Sequence, residues 1–126
     1  MNPSSQGHKL AVPVGPRDHV SGSERAAITL VEYGDYECGF CGRAYPIVKN
    51  VRRHFGDKLQ FVFRNFPVVK EHPHAEVAAE LAEAAAAQGK FWDIHDMLFE
   101  HQNALELADL MGYANKLKLD VKRIAS

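Results

Sequence analysis

The residues in this sequence best suited to chemistry are Cys38 and Cys41, the only two cysteines in a chain of 126 residues. They bound the tetrapeptide Cys38-Gly39-Phe40-Cys41. It lies between a run that reads as a strand, Ala27 to Tyr33, and one that reads as a helix, Cys41 to Phe55. A Cys-x-x-Cys pair at a strand-to-helix junction suits thiol–disulfide exchange, in which one thiolate attacks and the second thiol resolves the mixed disulfide. At the leading end of a helix, free backbone N–H groups and the helix dipole favour an anion, so Cys38 is the expected nucleophile. Cys41, one turn further in, is the expected resolving thiol. Gly39 and Phe40 offer neither a histidine to stabilise a thiolate nor a proline to stiffen the turn, which predicts an intermediate redox poise. The chemistry needs no cofactor beyond the Cys38–Cys41 disulfide itself.

Glu32 is the next candidate. A carboxylate in an otherwise apolar strand is costly unless it is paired or protonated. Its expected task is to relay a proton to or from Cys41; the bland alternative is a solvated acid at a strand end. Asp35 and Glu37 flank the pair and read as exposed loop acids that oppose a thiolate by like-charge repulsion. Two other readings of the cysteines stay open. They could be buried structural residues, or they could bind zinc, which needs two more ligands. His72 and His74 are the nearest histidine pair in sequence, and none of the histidines stands at a recognised zinc spacing from the cysteines. A four-cysteine site shared by two chains is a further form of that rival. His95, between Ile94 and Asp96, reads as a satisfied packing residue. Phe91, Trp92 and Phe99 read as core rather than as a peptide-binding patch.

The chain has the size of one domain. Apolar residues make up 46% and charged residues 25%, and the formal net charge is −1. That balance carries no basic footprint, so neither nucleic acid nor an anionic membrane surface is an expected partner. Two cysteines are too few for a disulfide scaffold. No apolar run approaches the ~20 residues of a transmembrane helix, so membrane insertion is not expected. The N-terminus lacks a secretory pattern, since Pro13 interrupts the short apolar patch after Lys9. The expected location is cytoplasmic or, if a leader has been removed, periplasmic or otherwise extracytoplasmic.

The elements that must position the cysteines follow in chain order. Met1 to Lys9 reads as a mobile tail, Leu10 to Val14 as a short edge strand that tolerates Pro13, and Gly15 to Arg25 as a loop. Residues 1–25 are thus an N-terminal tail and edge strand, and 26–126 the α/β domain. Ala27 to Tyr33 is apolar on both alternating faces, the pattern of a strand buried on both sides. In the following helix Cys41, Ala44, Tyr45, Val48, Val51 and Phe55 recur at helical spacing, and Pro46 is expected to kink the rod. Leu59 to Phe66 reads as a second strand, completing a βαβ unit with parallel strands. From about residue 74 the pattern is helical. His74 to Gln88 carries an inner stripe of Val77, Leu81 and Ala84 and an outer one of Glu76, Glu80 and Glu83. Lys90 to His101 and Leu107 to Leu117 follow, and Asp120 reads as the cap of a last helix.

The run Val31-Glu32-Tyr33-Gly34-Asp35-Tyr36-Glu37-Cys38-Gly39-Phe40-Cys41 resembles the active-site segment of bacterial DsbA-like thioredoxin-fold proteins. Pro46, five residues after the second cysteine, matches their kink proline, and Glu32, six before the first, matches their buried acid. Asp18-His19-Val20 and Gln88-Gly89-Lys90-Phe91-Trp92 also look typical of one bacterial branch. The resemblance covers about residue 10 to the end. It implies a thioredoxin-like α/β fold with a helical insertion, and an oxidoreductase that exchanges disulfides with protein thiols. In that role Cys38, Cys41 and Glu32 are catalytic, Gly39, Phe40 and Pro46 shape the site, and a redox partner protein resets the pair. Oxidase, reductase and isomerase directions stay open.

The family continues from its helical insert into a β-hairpin, led by a cis-proline that faces the cysteines, and a last helix. Here Pro73 is the last proline, so that hairpin has no counterpart. The Ala27–Tyr33 strand is then expected to offer an unpaired edge and to form a homodimer through it. A zinc-binding or interaction module on the same scaffold, with the Cys pair holding metal across a dimer, is the alternative reading.

Overall fold

The computed structural model describes residue 10 and residues 12–125. The expected tail, Met1 to Lys9, lies outside these residues. In chain order the elements are β1 (His19–Ser21), β2 (Ile28–Gly34), α1 (Gly39–Phe55), β3 (Leu59–Asn65), α2 (Ala75–Ala87), α3 (Phe91–Glu100), α4 (Leu107–Lys116) and α5 (Val121–Ala125).

β3 is the strand on which the layers assemble. Its sequence alternates aromatic and branched residues suited to a pleated, buried surface, and its first five residues are all buried. It lies in the middle of a three-stranded sheet of order β1-β3-β2. β2 runs parallel to it, with Leu30 opposite Phe61 and Glu32 opposite Phe63, and α1 is the crossover that parallel pairing requires. β1 runs antiparallel on the other edge, with Val20 opposite Val62. Leu59, Phe61 and Phe63 point to one face and join a core with Leu81, Ile94, Leu98 and Phe99 of the helical block. The aromatic stripe of α3 is therefore core: Phe91 and Phe99 are buried. Trp92 lies partly buried against them and donates its indole N–H to the Val20 carbonyl at 3.3 Å.

Four sequence expectations shift. The edge strand lies at His19–Ser21, inside the run read as a loop, and residues 12–14 are irregular. Side chains fix that placement: Asp18 pairs with Arg64 of β3 at 2.8 Å, and His19 stacks on Phe91 with ring centroids 3.7 Å apart. The sheet thus begins ahead of residue 26. β2 is not buried on both faces, since Ile28 is 41% and Tyr33 54% exposed. β3 takes the centre and leaves β2 with a strand neighbour on one side only, among the described residues. α1 begins at Gly39, two residues earlier than expected, and Pro46 sits inside it without an N–H to give the Gly42 carbonyl.

The inner face of α2 is made of alanines. Ala75, Ala78, Ala82 and Ala85 are fully buried with Leu81 beside them, whereas Val77 is 44% exposed. Small side chains let α2 approach α3 closely, which the apolar-stripe reading had assigned to larger ones. Leu81→Ala should therefore cost about 2–5 kcal/mol in urea unfolding. Val77→Ala should stay within about 0.5 kcal/mol of the parent. Comparable costs at the two positions would restore the stripe expected from sequence.

Candidate active site

β2 ends where its backbone presses on an aromatic ring. A Cβ on Gly34 would lie 2.3 Å from Cε1 of Phe63 and 3.2 Å from Glu32 Oε2, so only glycine lets the strand pass. The chain then turns through Asp35, Tyr36 and Glu37 into α1. Tyr36 is fully buried, with its ring 4.7 Å from that of Phe99 and 5.3 Å from that of Phe63. Burial holds its phenol well above the ordinary tyrosine value, while burial pushes the His95 imidazole down to about 3. The neutral Nδ1 of His95 therefore accepts the Tyr36 O–H, at 2.9 Å. His95 is the satisfied packing residue expected, and its partner belongs to the loop before the cysteines.

Cys38 is the N-cap of α1, with extended backbone at φ −72° and ψ 127°. The Gly42 N–H donates to its carbonyl at 3.0 Å, which starts the helix. Both cysteines are free and half-buried. Cys41 faces the core, and its thiol interacts with that of Cys38. Burial pushes the Cys41 thiol up to about 11, and the neighbouring Cys38 sulfur and Glu32 carboxylate add to that; a backbone N–H of Asp35 acts the other way. Cys41 therefore keeps its proton at neutral pH. Glu32 is half-buried, and among the described residues no cation pairs with it. Burial holds its carboxyl above the ordinary value, which makes it a better proton acceptor than a solvated glutamate.

The flanking acids are not the exposed repulsive charges expected. Asp35 is 4% exposed. It accepts the N–H of Glu37 at 2.8 Å and that of Val68 at 2.9 Å, and the Nδ1–H of His72 at 2.7 Å. Burial alone would raise its pKa; the two backbone donors and His72 outweigh it and hold the carboxyl below its ordinary value. His72 is held above its own ordinary value, chiefly by that hydrogen bond. Glu37 accepts the backbone N–H of His74 at 2.8 Å and its Nδ1–H at 2.6 Å. Both acids are thus saturated by donors, and they tie the cysteine loop to the segment entering α2.

The remaining site residues fall where their chemistry suggests. Gly39 is exposed, and Phe40 is 78% exposed beside Cys38, with the Arg43 guanidinium 4.6 Å above its ring. Pro46 lies on the outer side of α1. Histidines 72 and 74 are spoken for by the two carboxylates, and no three His, Cys, Asp or Glu side chains among the described residues could hold a metal ion. Sequence reasoning missed Tyr36, the anchoring role of Asp35, and Gln102. The Gln102 amide donates to the carbonyls of Tyr36 at 3.0 Å and Cys38 at 2.8 Å. A tyrosine embedded between two acids next to the cysteines was the available signal for a polar anchor.

A three-stranded sheet with a parallel βαβ core, a Cys-x-x-Cys at the head of the crossover helix and a helical insertion define a thioredoxin-like fold. The family model described as thioredoxin matches residues 15–124, and the chain belongs to that family. Among solved structures it is similar to a thioredoxin-like oxidoreductase from Silicibacter pomeroyi. That match has a TM-score of 0.79 and 26% identity, and covers 88% of this chain and 62% of the other. It is also similar to the thiol-disulfide exchange protein alpha-DsbA2 from Wolbachia pipientis, at TM-score 0.76 and 20% identity, over 87% of this chain and 58% of that one. Among curated proteins it is 51% identical over 115 residues to Na(+)/H(+) antiporter NhaA 1 of Salinispora arenicola, covering 90% of this chain and 18% of the relative. The namesake from Mycolicibacterium vanbaalenii is 49% identical over 122 residues, covering 96% of this chain and 20% of the relative. The chain thus spans about a fifth of the length of these curated relatives. No helix among the described residues is long and apolar enough to cross a membrane.

Asp35 and His72 make the site's anchorage depend on pH. The lowered Asp35 contributes stability above the unfolded carboxylate value of 3.8 and loses it as pH falls through its lower folded value. The raised His72 contributes fully below its unfolded value of 6.5 and loses it as pH rises through its higher folded value. Protection of the Val68 amide against exchange, corrected for intrinsic rates, should therefore be greatest between the unfolded values of 3.8 and 6.5 and fall as the pH rises beyond the latter. Protection that stays flat from acid to alkali would refute the pairing. Asp35→Ala, which strands two backbone donors, should cost about 2 kcal/mol in denaturant unfolding.

Proposed function

We propose that this chain is a thiol–disulfide oxidoreductase domain that exchanges disulfides with protein thiols through Cys38 and Cys41. One observation carries the reading: the half-buried Cys38 is the N-cap of the helix, and a second thiol, kept protonated by burial, lies beside its sulfur on the core side. In the reducing direction the Cys38 thiolate attacks a substrate disulfide, forming one S–S bond and breaking another, and the departing sulfur takes up a proton. Cys41 then gives its proton to Glu32 and attacks the Cys38 sulfur. The second substrate thiol leaves, and two electrons have passed to the substrate. The reverse sequence oxidises a substrate dithiol. A partner protein of matching chemistry resets the pair.

A second reading rests on the curated relatives. Half of the residues in this domain are identical to a stretch of proteins named as sodium–proton antiporters. We propose that the domain also serves as the thiol module of such a transporter. Antiport in vesicles bearing both parts should then differ between glutathione-reduced and glutathione-oxidised states.

Insulin reduction in dithiothreitol tests the first reading. Cys38→Ser should abolish it, and Cys41→Ser should accumulate a substrate mixed disulfide instead of turning over. Glu32→Gln should leave the first attack intact and slow resolution by about 100-fold, the lower end of general acid–base contributions. Wild-type protein that fails to reduce insulin and carries one zinc per pair of chains would favour the metal-binding module instead.

A further inference from the structure

The segment linking α3 to α4 reaches back to the cysteines through one side chain. Gln102 sits in the turn after α3, and its Nε2 lies 2.8 Å from the Cys38 carbonyl and 3.0 Å from the Tyr36 carbonyl. The Cys38 carbonyl already receives the Gly42 N–H at 3.0 Å, so two donors from different parts of the chain fix it. The amide is also seated against α1. A Cβ on Gly42 would lie 1.9 Å from its Oε1 and 2.5 Å from its Cδ, and Gly42 thus provides the space that Gln102 fills. One of these contacts ends on the residue that carries the nucleophilic sulfur, and the others flank it.

We propose that Gln102 is a positioning residue that sets the redox poise of the Cys38–Cys41 pair, with Gly42 as its seat. The inference rests on the disulfide-exchange reading above and names what tunes it. The carbonyl oxygens of Tyr36 and Cys38 carry partial negative charge close in sequence to the Cys38 sulfur. A donor on each offsets that charge, and so favours the dithiol form, in which the sulfur can become an anion. Gln102 never touches the exchanging sulfurs; it acts through the carbonyl and the helix turn between them. Because it stands in the helical block, that block takes part in setting the potential.

Equilibration of the full chain with glutathione measures this directly. Protein dithiol and one glutathione disulfide give protein disulfide and two glutathione thiols, with two electrons and two protons passing to glutathione. Gln102→Ala should shift that equilibrium towards the protein disulfide by about two- to tenfold, the span of one net hydrogen bond. Gly42→Ala leaves Gln102 in place but puts a methyl group where its amide lies, so it should shift the equilibrium in the same direction. The double variant should add little to either single one. Melting temperature of each redox form is the control, since a merely structural brace would lower both equally and leave the equilibrium unmoved. A wild-type equilibrium in either single variant, or a shift towards the dithiol, overturns the proposal. Wild-type protein that forms no disulfide with glutathione at all would instead overturn the disulfide-exchange reading and take this inference with it.

Discussion

Asp35 is ionised in the protein interior, and donors from three places in the chain keep it so. Glu37 contributes its N–H from the same turn, Val68 from the segment after β3, and His72 an imidazole from the approach to α2. Uncompensated burial of that carboxylate would be costly enough to reprotonate it or unfold the turn. Two of the three donors come from outside the turn, so the loop before Cys38 has its shape only once β3 and the helical block are in place. The position of Cys38 at the mouth of α1 is in that sense a tertiary property, although the residues around it are local in sequence.

The same dependence runs through β3. It has a strand on each edge and an aromatic face packed against the helices, and Phe63 in its middle touches the site directly. Its ring lies under Gly34 and against Tyr36, while Glu32 is its partner across the parallel ladder. A change at Phe63 would therefore reach the end of β2, the buried tyrosine and the acid behind Cys41 at once. Arg64, the next residue, turns the other way and fixes the N-terminal segment through Asp18, and its guanidinium lies 2.7 Å from the Tyr33 hydroxyl. One strand serves as both core and frame.

Much of this was legible in the letters, and the misses share a cause. The cysteine pair, the strand–helix–strand order and the parallel pairing follow from spacing and local propensity, which act within a few residues. β1 was misplaced because three residues of strand carry too little pattern to outweigh the glycines and serines around them; a salt bridge and a stacked ring settle its position, and both partners lie far away in sequence. The inner face of α2 was rotated because hydrophobicity ranks valine above alanine, whereas close helix packing favours the smaller residue. Asp35 and Glu37 looked like solvated acids for the same reason: nothing near them in sequence announces His72, His74 or the Val68 N–H. Glu32 was legible because an acid in an apolar strand is anomalous on local grounds alone.

The helical block is accordingly more than a cover for the sheet. α3 supplies His95 to the Tyr36 hydroxyl, the entry to α2 supplies His74 to Glu37, and the turn after α3 supplies Gln102 to two carbonyls of the cysteine loop. The contacts come from three different points of the block and together reach every residue from Tyr36 to Cys38. A short turn held at so many points would have little freedom to relax if, as proposed, the sulfurs change from two thiols to one disulfide. Whatever rearrangement that change demands must be shared with the helices or resisted by them. On that proposal, the free energy difference between the two redox forms includes the packing of residues far from sulfur. Two chains with the same Cys-Gly-Phe-Cys motif but different helical blocks need not share a potential.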